Sequence, residues 1–307
     1  MPDAPKGGTE ILVETLKKNL DFTDINLIVS VCDPRLLVKG QKNILLQELS
    51  YDQNNVQGLR SPLFVDSIDC FVFDSHWCYE KFREKFNIPA WKSTVIKNAT
   101  TAFEIKPKPK GKLKLIYTST PWRGLHVLLE AFKLLDRDDI ELDVYSSTTI
   151  YGKNFQQLVG NRFDGLFEEL RQTPGINFKG YGENQEVRHA LEKAHVFAYP
   201  SIFEETSCIA AIEAMCAGCQ AVVTNYGALY ETCGEYADFI CYDSDYKRLA
   251  ENYAKLLDVV IDNYWSDGNQ EKLVDQTVFY NKNWTWEKRL PQWEKLLSKI
   301  RNNQNVF

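Results

Sequence analysis

Two glutamates near one predicted strand are the residues of this sequence best suited to bind a polar substrate. Glu205 and Glu213 are separated by seven residues and follow the apolar run 196–199, which reads as a strand. This spacing places Glu205 in a loop and Glu213 about two turns into the next helix, both facing the strand ends. The start of the same helix is a candidate phosphate site, as described below. Two carboxylates beside a phosphate would repel it unless they contact hydroxyl groups of the ligand, so the pair indicates a sugar and a ribose. The alternative is that Glu213 pairs inside the fold and Glu205 is solvated.

The start of that helix is a predicted anion site. The helix is expected to begin near Ser207, with Thr206 or Ser207 as its cap. The free amides of Cys208, Ile209 and Ala210 would then point outward at the positive end of the helix dipole, where a phosphate binds. Ligands collect outside the carboxyl ends of the strands in an open α/β sheet, so the loop is well placed for one.

A second polar segment, residues 118–125, follows the predicted strand 113–117 and leads into the predicted helix 123–135. Arg123 stands at the start of that helix, where the dipole disfavours a cation unless an anion lies nearby. Its planar guanidinium also suits phosphate oxygens. Arg123 is therefore predicted to bind the same anion. The alternative is a surface arginine whose stem covers Trp122.

Glycines mark two further places where backbone could approach a ligand. Gly7 and Gly8 open the first predicted helix, and the lack of a side chain there leaves room for a ligand. Gly227 follows the last strong predicted strand and marks either a similar approach or only a turn.

No metal site and no cofactor are predicted. Cys216 and Cys219 form a C-x-x-C pair, but no second pair or histidine cluster accompanies them, so packing at a helix end is expected. The two Asp-x-Asp patterns, 136–138 and 243–245, read as solvated turns or helix caps.

The elements that must position these residues alternate between strands and helices, which is typical of parallel α/β sheets. A first domain, residues 1–105, is predicted to have strands at 25–31, 43–47, 70–73 and 94–96 and helices at 8–20 and 77–86. Residues 106–112 combine two prolines, a glycine and four lysines and are predicted to separate two domains. The second domain, 113–282, is predicted to be a doubly wound sheet with strands at 113–117, 141–145, 177–179, 196–199 and 220–224 and helices at 123–135, 155–171, 184–193 and 207–217.

Residues 283–307 are predicted to form a helix that packs back on the first domain. Their apolar stripe consists of Trp286, Leu290, Trp293, Leu297 and Ile300. Pro291 lies inside the stripe and lacks the amide for a helical hydrogen bond, so the helix is expected to bend there.

Composition excludes several classes of protein. The formal charge is −6 at pH 7, and Lys and Arg form no long basic face, so no nucleic acid partner is expected. No apolar run approaches the ~20 residues that cross a bilayer, and the first residues do not read as a signal peptide. A cytoplasmic protein with no transmembrane segment is therefore predicted.

Taken together, these motifs resemble the retaining glycosyltransferases of the GT-B architecture, the large family that contains sucrose synthases and bacterial mannosyl- and glucosyltransferases. Residues 205–213 match its E-x₇-E element, and residues 213–218 match the Glu-Ala-Met-x-x-Gly helix that follows. Residues 123–131 are similar to its basic-Gly-x-x-x-Leu-Leu-x-Ala segment, residues 7–10 to its Gly-Gly-x-Glu loop, and residues 96–98 to its Ile-Pro-Asn element.

The resemblance implies an α/β fold with two Rossmann-like domains facing a cleft. It implies that the second domain binds a nucleoside-diphosphate sugar as donor. The first domain would bind the acceptor, a carbohydrate, a lipid-linked molecule or a small molecule. A hexose would be transferred with retention of configuration and without a metal.

The resemblance also assigns roles to individual residues. Arg123 would neutralise the diphosphate, and Glu205 would hold hydroxyls of the transferred sugar, which makes both catalytic. Glu213 would hold the ribose, and Gly8 would approach the diphosphate from across the cleft. The phosphate would be cradled by the amides of Ser207, Cys208 and Ile209.

Three features differ from the family pattern. A second basic residue is usual five positions before Arg123, where this sequence has Thr118, and Lys153 is a candidate replacement. A histidine is usual after a first-domain strand, but residues 45–52 contain none. Gly7 lies so close to Met1 that the usual preceding strand has no room, which predicts either a reduced first domain or an abbreviated chain. Two alternatives therefore stay open: a non-catalytic nucleotide-sugar-binding protein, and a nucleotide-sugar epimerase of the same architecture.

Overall fold

The computed structural model describes residues 7–149 and 160–306, which form two β-sheets with helices on their faces. Each named strand pair is parallel, as the alternation of strands and helices predicts. Within the described ranges, every helix is too short or too polar to traverse a bilayer.

Among the described residues, the first sheet has four strands in spatial order from β1 to β4. They are β1 (Ile25–Val29), β2 (Lys42–Gln47), β3 (Cys70–Phe73) and β4 (Ser93–Val95), with helices α1 (Gly8–Asn19), α2 (Pro62–Asp66) and α3 (His76–Phe86). The prediction of a strand to residue 31 is wrong at its end, because Ser30 has a φ of 61° and leaves the extended conformation. Strand β3 is buried along its whole length, as expected inside a parallel sheet.

Over residues 113–149 and 160–240, the second sheet has six strands in the order β10-β9-β8-β5-β6-β7. They are β5 (Leu113–Thr118), β6 (Ile140–Tyr145), β7 (Ile176–Gly180), β8 (Val196–Tyr199), β9 (Gln220–Thr224) and β10 (Asp238–Ile240). The sequence prediction missed β10, which has only three half-buried residues at the sheet edge. The strand order reverses between β5 and β8, so a crevice opens at their carboxyl ends.

The helices of the second domain connect these strands. They are α4 (Leu125–Leu135), α5 (Asp164–Gln172), α6 (Asn184–Lys193), α7 (Ile209–Cys216), α8 (Leu229–Cys233), α9 (Tyr246–Asn263) and α10 (Asp267–Asn283). The predicted helix 155–171 lies partly outside the described residues, and in its described part α5 begins at Asp164. Asp245 caps α9 by accepting from the amides of Lys247 and Arg248, which confirms the cap interpretation for that residue.

The last helix, α11 (Trp286–Arg301), contains Pro291 and covers one face of the first sheet. Its buried residues Trp293 and Leu297 belong to one apolar cluster with Leu16 of α1 and Ile44 of β2. The guanidinium of Arg289 donates to the carbonyl of Lys97 at 2.9 Å. The chain thus returns from the second domain to complete the core of the first.

The lysine-rich linker is fastened to the second domain. The Nζ atom of Lys108 donates to the carbonyl oxygens of Leu191 at 2.9 Å and of Ala217 at 2.7 Å, at the ends of α6 and α7. Burial lowers the pKa of this lysine. A cation at two helix carboxyl ends is favoured by both helix dipoles.

Candidate active site

A cavity of about 340 Å³ lies where the carboxyl ends of the two sheets meet. Its walls come from the loops after β2 and β3 of the first sheet and after β5, β6, β7 and β8 of the second. The cavity brings together the donor-site residues predicted from the sequence, namely Gly8, Arg123, Glu205, Ser207, Cys208, Ile209 and Glu213. Residues from positions 8 to 213 therefore share one site because both parallel sheets end there.

Glu205 forms a buried ion pair with Arg123. The Nη1 atom of Arg123 donates to both carboxylate oxygens of Glu205, at 2.8 and 2.9 Å, and the hydroxyl of Tyr199 donates to Oε1. Glu205 is 2% exposed, so the alternative of a solvated Glu205 is wrong. Burial raises the pKa of Glu205, and Arg123 opposes that shift. The ion pair holds the guanidinium of Arg123 and the carboxylate of Glu205 between the ends of β5 and β8, where the strand order reverses.

The helix after Arg123 begins later than predicted. Residues Pro121–Arg123 form a short 3₁₀ turn, and α4 starts only after Gly124. Gly124 has a φ of 109°, and a Cβ atom there would lie 2.1 Å from the carbonyl oxygen of Pro200. A glycine is therefore required for the loops after β5 and β8 to touch. Arg123 precedes the helix, and Glu205 supplies the anion that stabilises it.

Gly227 serves the loop that carries Glu205. Its φ is 63°, and a Cβ atom would lie 2.4 Å from the carbonyl oxygen of Glu205. The amide of Ala228 donates to that same oxygen at 2.7 Å. Gly227 is thus a close-approach glycine that holds the Glu205 loop against the loop after β9, rather than only a turn.

Helix α7 begins at Ile209, and its cap is Cys208 rather than Thr206 or Ser207. The hydroxyl of Thr206 does not cap this helix, because it donates to Asp74 of the first domain at 2.7 Å. The first amides of an α-helix have no partner inside the helix. Those of α7 lie beside the cavity, and a phosphate bound there stays a prediction.

Glu213 pairs with an arginine that sequence reasoning missed. The Nη1 atom of Arg188 lies 3.3 Å from Oε1 of Glu213, and the hydroxyl of Thr100 donates to the same oxygen at 3.1 Å. Arg188 also donates to the carbonyls of Thr101 and Ala102, in the segment that joins the domains. Glu213 therefore pairs inside the fold and also lines the cavity. Burial raises its pKa, and Arg188 opposes the shift.

The starts of α1 and α7 touch across the cavity. A Cβ atom at Gly8 would lie 2.9 Å from Cδ1 of Ile209. Gly7 has its amide bound to the carboxylate of Glu10 at 3.0 Å. A side chain at position 8 would therefore require the side chain of Ile209 to move.

Buried hydroxyl groups line the second-domain side of the cavity. In the part of the chain that the structure describes, the side-chain oxygens of Thr118, Thr120, Ser146 and Ser207 are buried and have no hydrogen-bond partner. Thr118 stands where a second basic residue was expected, so a hydroxyl replaces that charge. Lys153, the candidate replacement, lies outside the described residues.

Metal ligation finds no support at the C-x-x-C pair. Cys216 and Cys219 are both buried, and the thiol of Cys219 donates to the carbonyl of Leu191 at 3.3 Å. Across residues 7–149 and 160–306, no three His, Cys, Asp or Glu side chains are grouped in a way that could hold a metal ion.

Solved structures of other proteins share this architecture. The chain is similar to a glycosyltransferase from Rickettsia africae ESF-5, with a TM-score of 0.72 and 16% identity over 99% of this chain and 85% of the other. It is similar to Anabaena HepE in complex with UDP and glucose, with a TM-score of 0.69 and 15% identity over 89% and 78%. It is also similar to the sucrose-phosphate synthase of Thermosynechococcus elongatus, with a TM-score of 0.66 and 15% identity over 86% and 69%.

These likenesses establish the fold, which is the GT-B architecture with two Rossmann-like domains. No curated protein sequence matches the chain. The sequence model of a family described as "Glycosyl transferases group 1" matches residues 98–261, more than half of the chain. The protein therefore belongs to the group 1 glycosyl transferases.

Proposed function

We propose that the protein transfers a hexose from a nucleoside-diphosphate sugar to an acceptor, with retention of configuration and without a metal ion. The observation that carries this proposal is the set of unpartnered hydroxyls beside the start of α7. A buried polar group without a partner destabilises the fold by about 1–3 kcal/mol. The hydroxyls of Thr118, Thr120, Ser146 and Ser207 are suited to donate to the phosphate and ribose oxygens of a bound nucleotide.

Charge stabilisation in the reaction is assigned to Arg123 and α7. Departure of a nucleoside diphosphate builds negative charge on its phosphates. Fixed amides at a helix start and a guanidinium stabilise such charge without reorganising. Glu205 holds the guanidinium of Arg123 through both carboxylate oxygens, which limits its motion before the donor binds.

The two glutamates receive different roles in the proposal. Glu205 belongs to the loop after β8 and precedes the phosphate position, so it is assigned to hydroxyls of the transferred sugar. Glu213 lies in α7 and is held by Arg188, and it is assigned to the ribose. Hydrogen bonds from hydroxyls to these buried carboxylates are charge-assisted and therefore strong.

Similar structures support a uridine donor as the first probe. Anabaena HepE was solved with UDP and glucose, and a pneumococcal O-GlcNAc transferase, GtfA, was solved with UDP and GlcNAc. The acceptor, whether a carbohydrate, a lipid-linked molecule or a small molecule, stays a prediction, as does the cytoplasmic location.

The test is donor breakdown across a panel of UDP-, GDP- and ADP-sugars, with the released nucleotide and the sugar both measured. A transferase slowly transfers the donor's sugar to water and so releases nucleoside diphosphate. If the enzyme is retaining, the sugar first seen in an NMR time course has the donor's anomeric configuration. Arg123→Ala should lower release about 10- to 100-fold, since a charge-assisted hydrogen bond contributes about 1.5–3 kcal/mol.

A matched control is Arg171→Ala, which removes an exposed arginine of α5 that pairs with its helix neighbour Glu168 and lies over the ring of Phe178, outside the cavity lining. Its release rate should equal that of the wild type. Nucleotide binding without any release would instead indicate a non-catalytic binding protein. Conversion of the donor into its epimer without release would indicate the epimerase.

A further inference from the structure

Two carboxylates of the first domain stand side by side on the cavity wall. Glu48 directly follows β2 and Asp74 directly follows β3, and the register of these parallel strands pairs Gln47 with Phe73. The next residues on each strand, Glu48 and Asp74, therefore meet at the same carboxyl edge. Both line the cavity, on the wall formed by the first sheet.

Each carboxyl group keeps one oxygen unused. Asp74 is 1% exposed, and its Oδ2 accepts from the hydroxyl of Thr206 at 2.7 Å. The Oε2 atom of Glu48 accepts from the amide of Asn98 at 3.1 Å. The Oδ1 atom of Asp74 and the Oε1 atom of Glu48 are buried and have no hydrogen-bond partner within the described ranges. These contacts thus leave one oxygen of each carboxyl group without a hydrogen bond.

Burial and mutual repulsion make the pair retain a proton. Burial first, and then the neighbouring Asp74, raise the pKa of Glu48 well above its ordinary value. Burial also raises the pKa of Asp74. Two buried carboxyls that repel each other hold at least one proton near neutral pH. The pair then offers both a hydrogen-bond donor and acceptor oxygens.

A neutral sugar hydroxyl matches that combination. A hydroxyl group both donates and accepts hydrogen bonds, whereas an ammonium group only donates and an ionised phosphate only accepts. An anionic group would also be repelled by the remaining carboxylate charge. Thr206, which holds Asp74, is the neighbour of Glu205 along the chain, so a group bound at the pair lies beside the proposed sugar position.

We propose that Glu48 and Asp74 form the acceptor subsite of this protein, and that the acceptor presents an uncharged sugar hydroxyl to them. Asn98 acts as a positioning residue, because its amide holds one oxygen of Glu48. This inference rests on the proposed function, since an acceptor exists only if a sugar is transferred.

The experiment measures transfer from the best donor to free glucose, mannose and N-acetylglucosamine, with glucosamine and glucose 6-phosphate as charged comparisons. The neutral sugars should be the acceptors. Glu48→Ala and Asp74→Ala, which remove both the donor and the acceptor oxygens, should each raise the acceptor KM at least about tenfold, the loss expected for one hydrogen bond to a charged group. The dissociation constant for UDP should stay unchanged, because the proposed phosphate position is at the start of α7 in the second domain, whereas both carboxyl groups belong to the first domain. Glu84→Ala, which removes an exposed carboxylate of α3, is the matched control.

Three outcomes would overturn the inference. They are transfer only to glucosamine or glucose 6-phosphate, an unchanged acceptor KM in both variants, and UDP affinity that falls together with the acceptor KM. Failure of the proposed function is distinguishable, because the wild-type protein would then release no nucleotide from any donor. If a variant of Glu48 or Asp74 does not fold, Asn98→Ala tests the same proposal, because Asn98 holds Glu48 in place. It should raise the acceptor KM with UDP affinity intact, and an unchanged KM would contradict the proposal.

Discussion

Gly124 is where backbone geometry most directly controls the candidate site. Gly124→Ala places a Cβ atom 2.1 Å from the carbonyl oxygen of Pro200, at a φ of 109°. Because heavy atoms do not approach closer than about 3 Å here, one of the two loops must move by about 1 Å. One loop carries Arg123 and the other leads to Glu205, so their ion pair must shift with it.

The expected magnitude follows from comparison with a second glycine. Gly111 has nearly the same φ, 114°, but nothing lies within 4 Å of a Cβ atom there. Gly111→Ala should therefore destabilise by only about 1 kcal/mol, from left-handed strain offset by lower entropy of the unfolded chain. Gly124→Ala adds overpacking of about 1–3 kcal/mol. A displacement of about 1 Å at the site should also lower turnover roughly 100-fold.

Urea unfolding and steady-state donor turnover measure both effects. Gly111→Ala should keep wild-type turnover, whereas Gly124→Ala should lose both stability and turnover. Equal unfolding free energies and equal turnover in the two variants would refute the close-contact argument. Lost stability with full turnover would show that the position of Arg123 does not matter for the reaction.

Four further predictions address the roles of single groups. Glu205→Gln should lower turnover and leave UDP affinity nearly intact, whereas Glu213→Gln should raise the donor KM and weaken UDP binding. Equal losses of UDP affinity in the two variants would show that the glutamates do not have these separate roles. Activity should survive EDTA, and loss that Mg²⁺ or Mn²⁺ restores would overturn the metal-free proposal. Trp293→Ala should lower the unfolding free energy by about 3–5 kcal/mol, because Trp293 is buried. Trp91 is exposed, so Trp91→Ala should lower it by less than about 0.5 kcal/mol. Equal values would show that α11 does not brace the first domain. Burial raises the pKa of Asp74 to about 7, so the free energy of unfolding should fall as pH rises from about 4 to 7. In thermal unfolding measured across this pH range, Asp74→Asn should show a smaller fall than the wild type. An unchanged pH dependence would contradict the raised pKa of Asp74.

The sequence by itself determined the elements and the main motif. Alternating strands and helices, the glutamates at 205 and 213, and the arginine-glycine pair at 123 and 124 are local patterns, and local periodicity depends only on neighbouring residues. Two helix starts were predicted too early, because Gly124 is left-handed and Cys208 is extended, so α4 and α7 begin only after these residues. The edge strand β10 was missed since three half-buried residues carry too little periodic signal.

Only the tertiary structure decided which groups meet. Arg123 pairs with Glu205 because the strand order reverses between β5 and β8, and a sequence does not display strand order. Arg188 reaches Glu213, and Glu48 stands beside Asp74, through the same kind of long-range arrangement. Burial, which raises the pKa of the carboxyl groups of Glu48, Asp74, Glu205 and Glu213, is also a property of the packed structure. The chemistry of single residues was therefore readable from the chain, but their partners and their protonation came from the packing of parallel sheets.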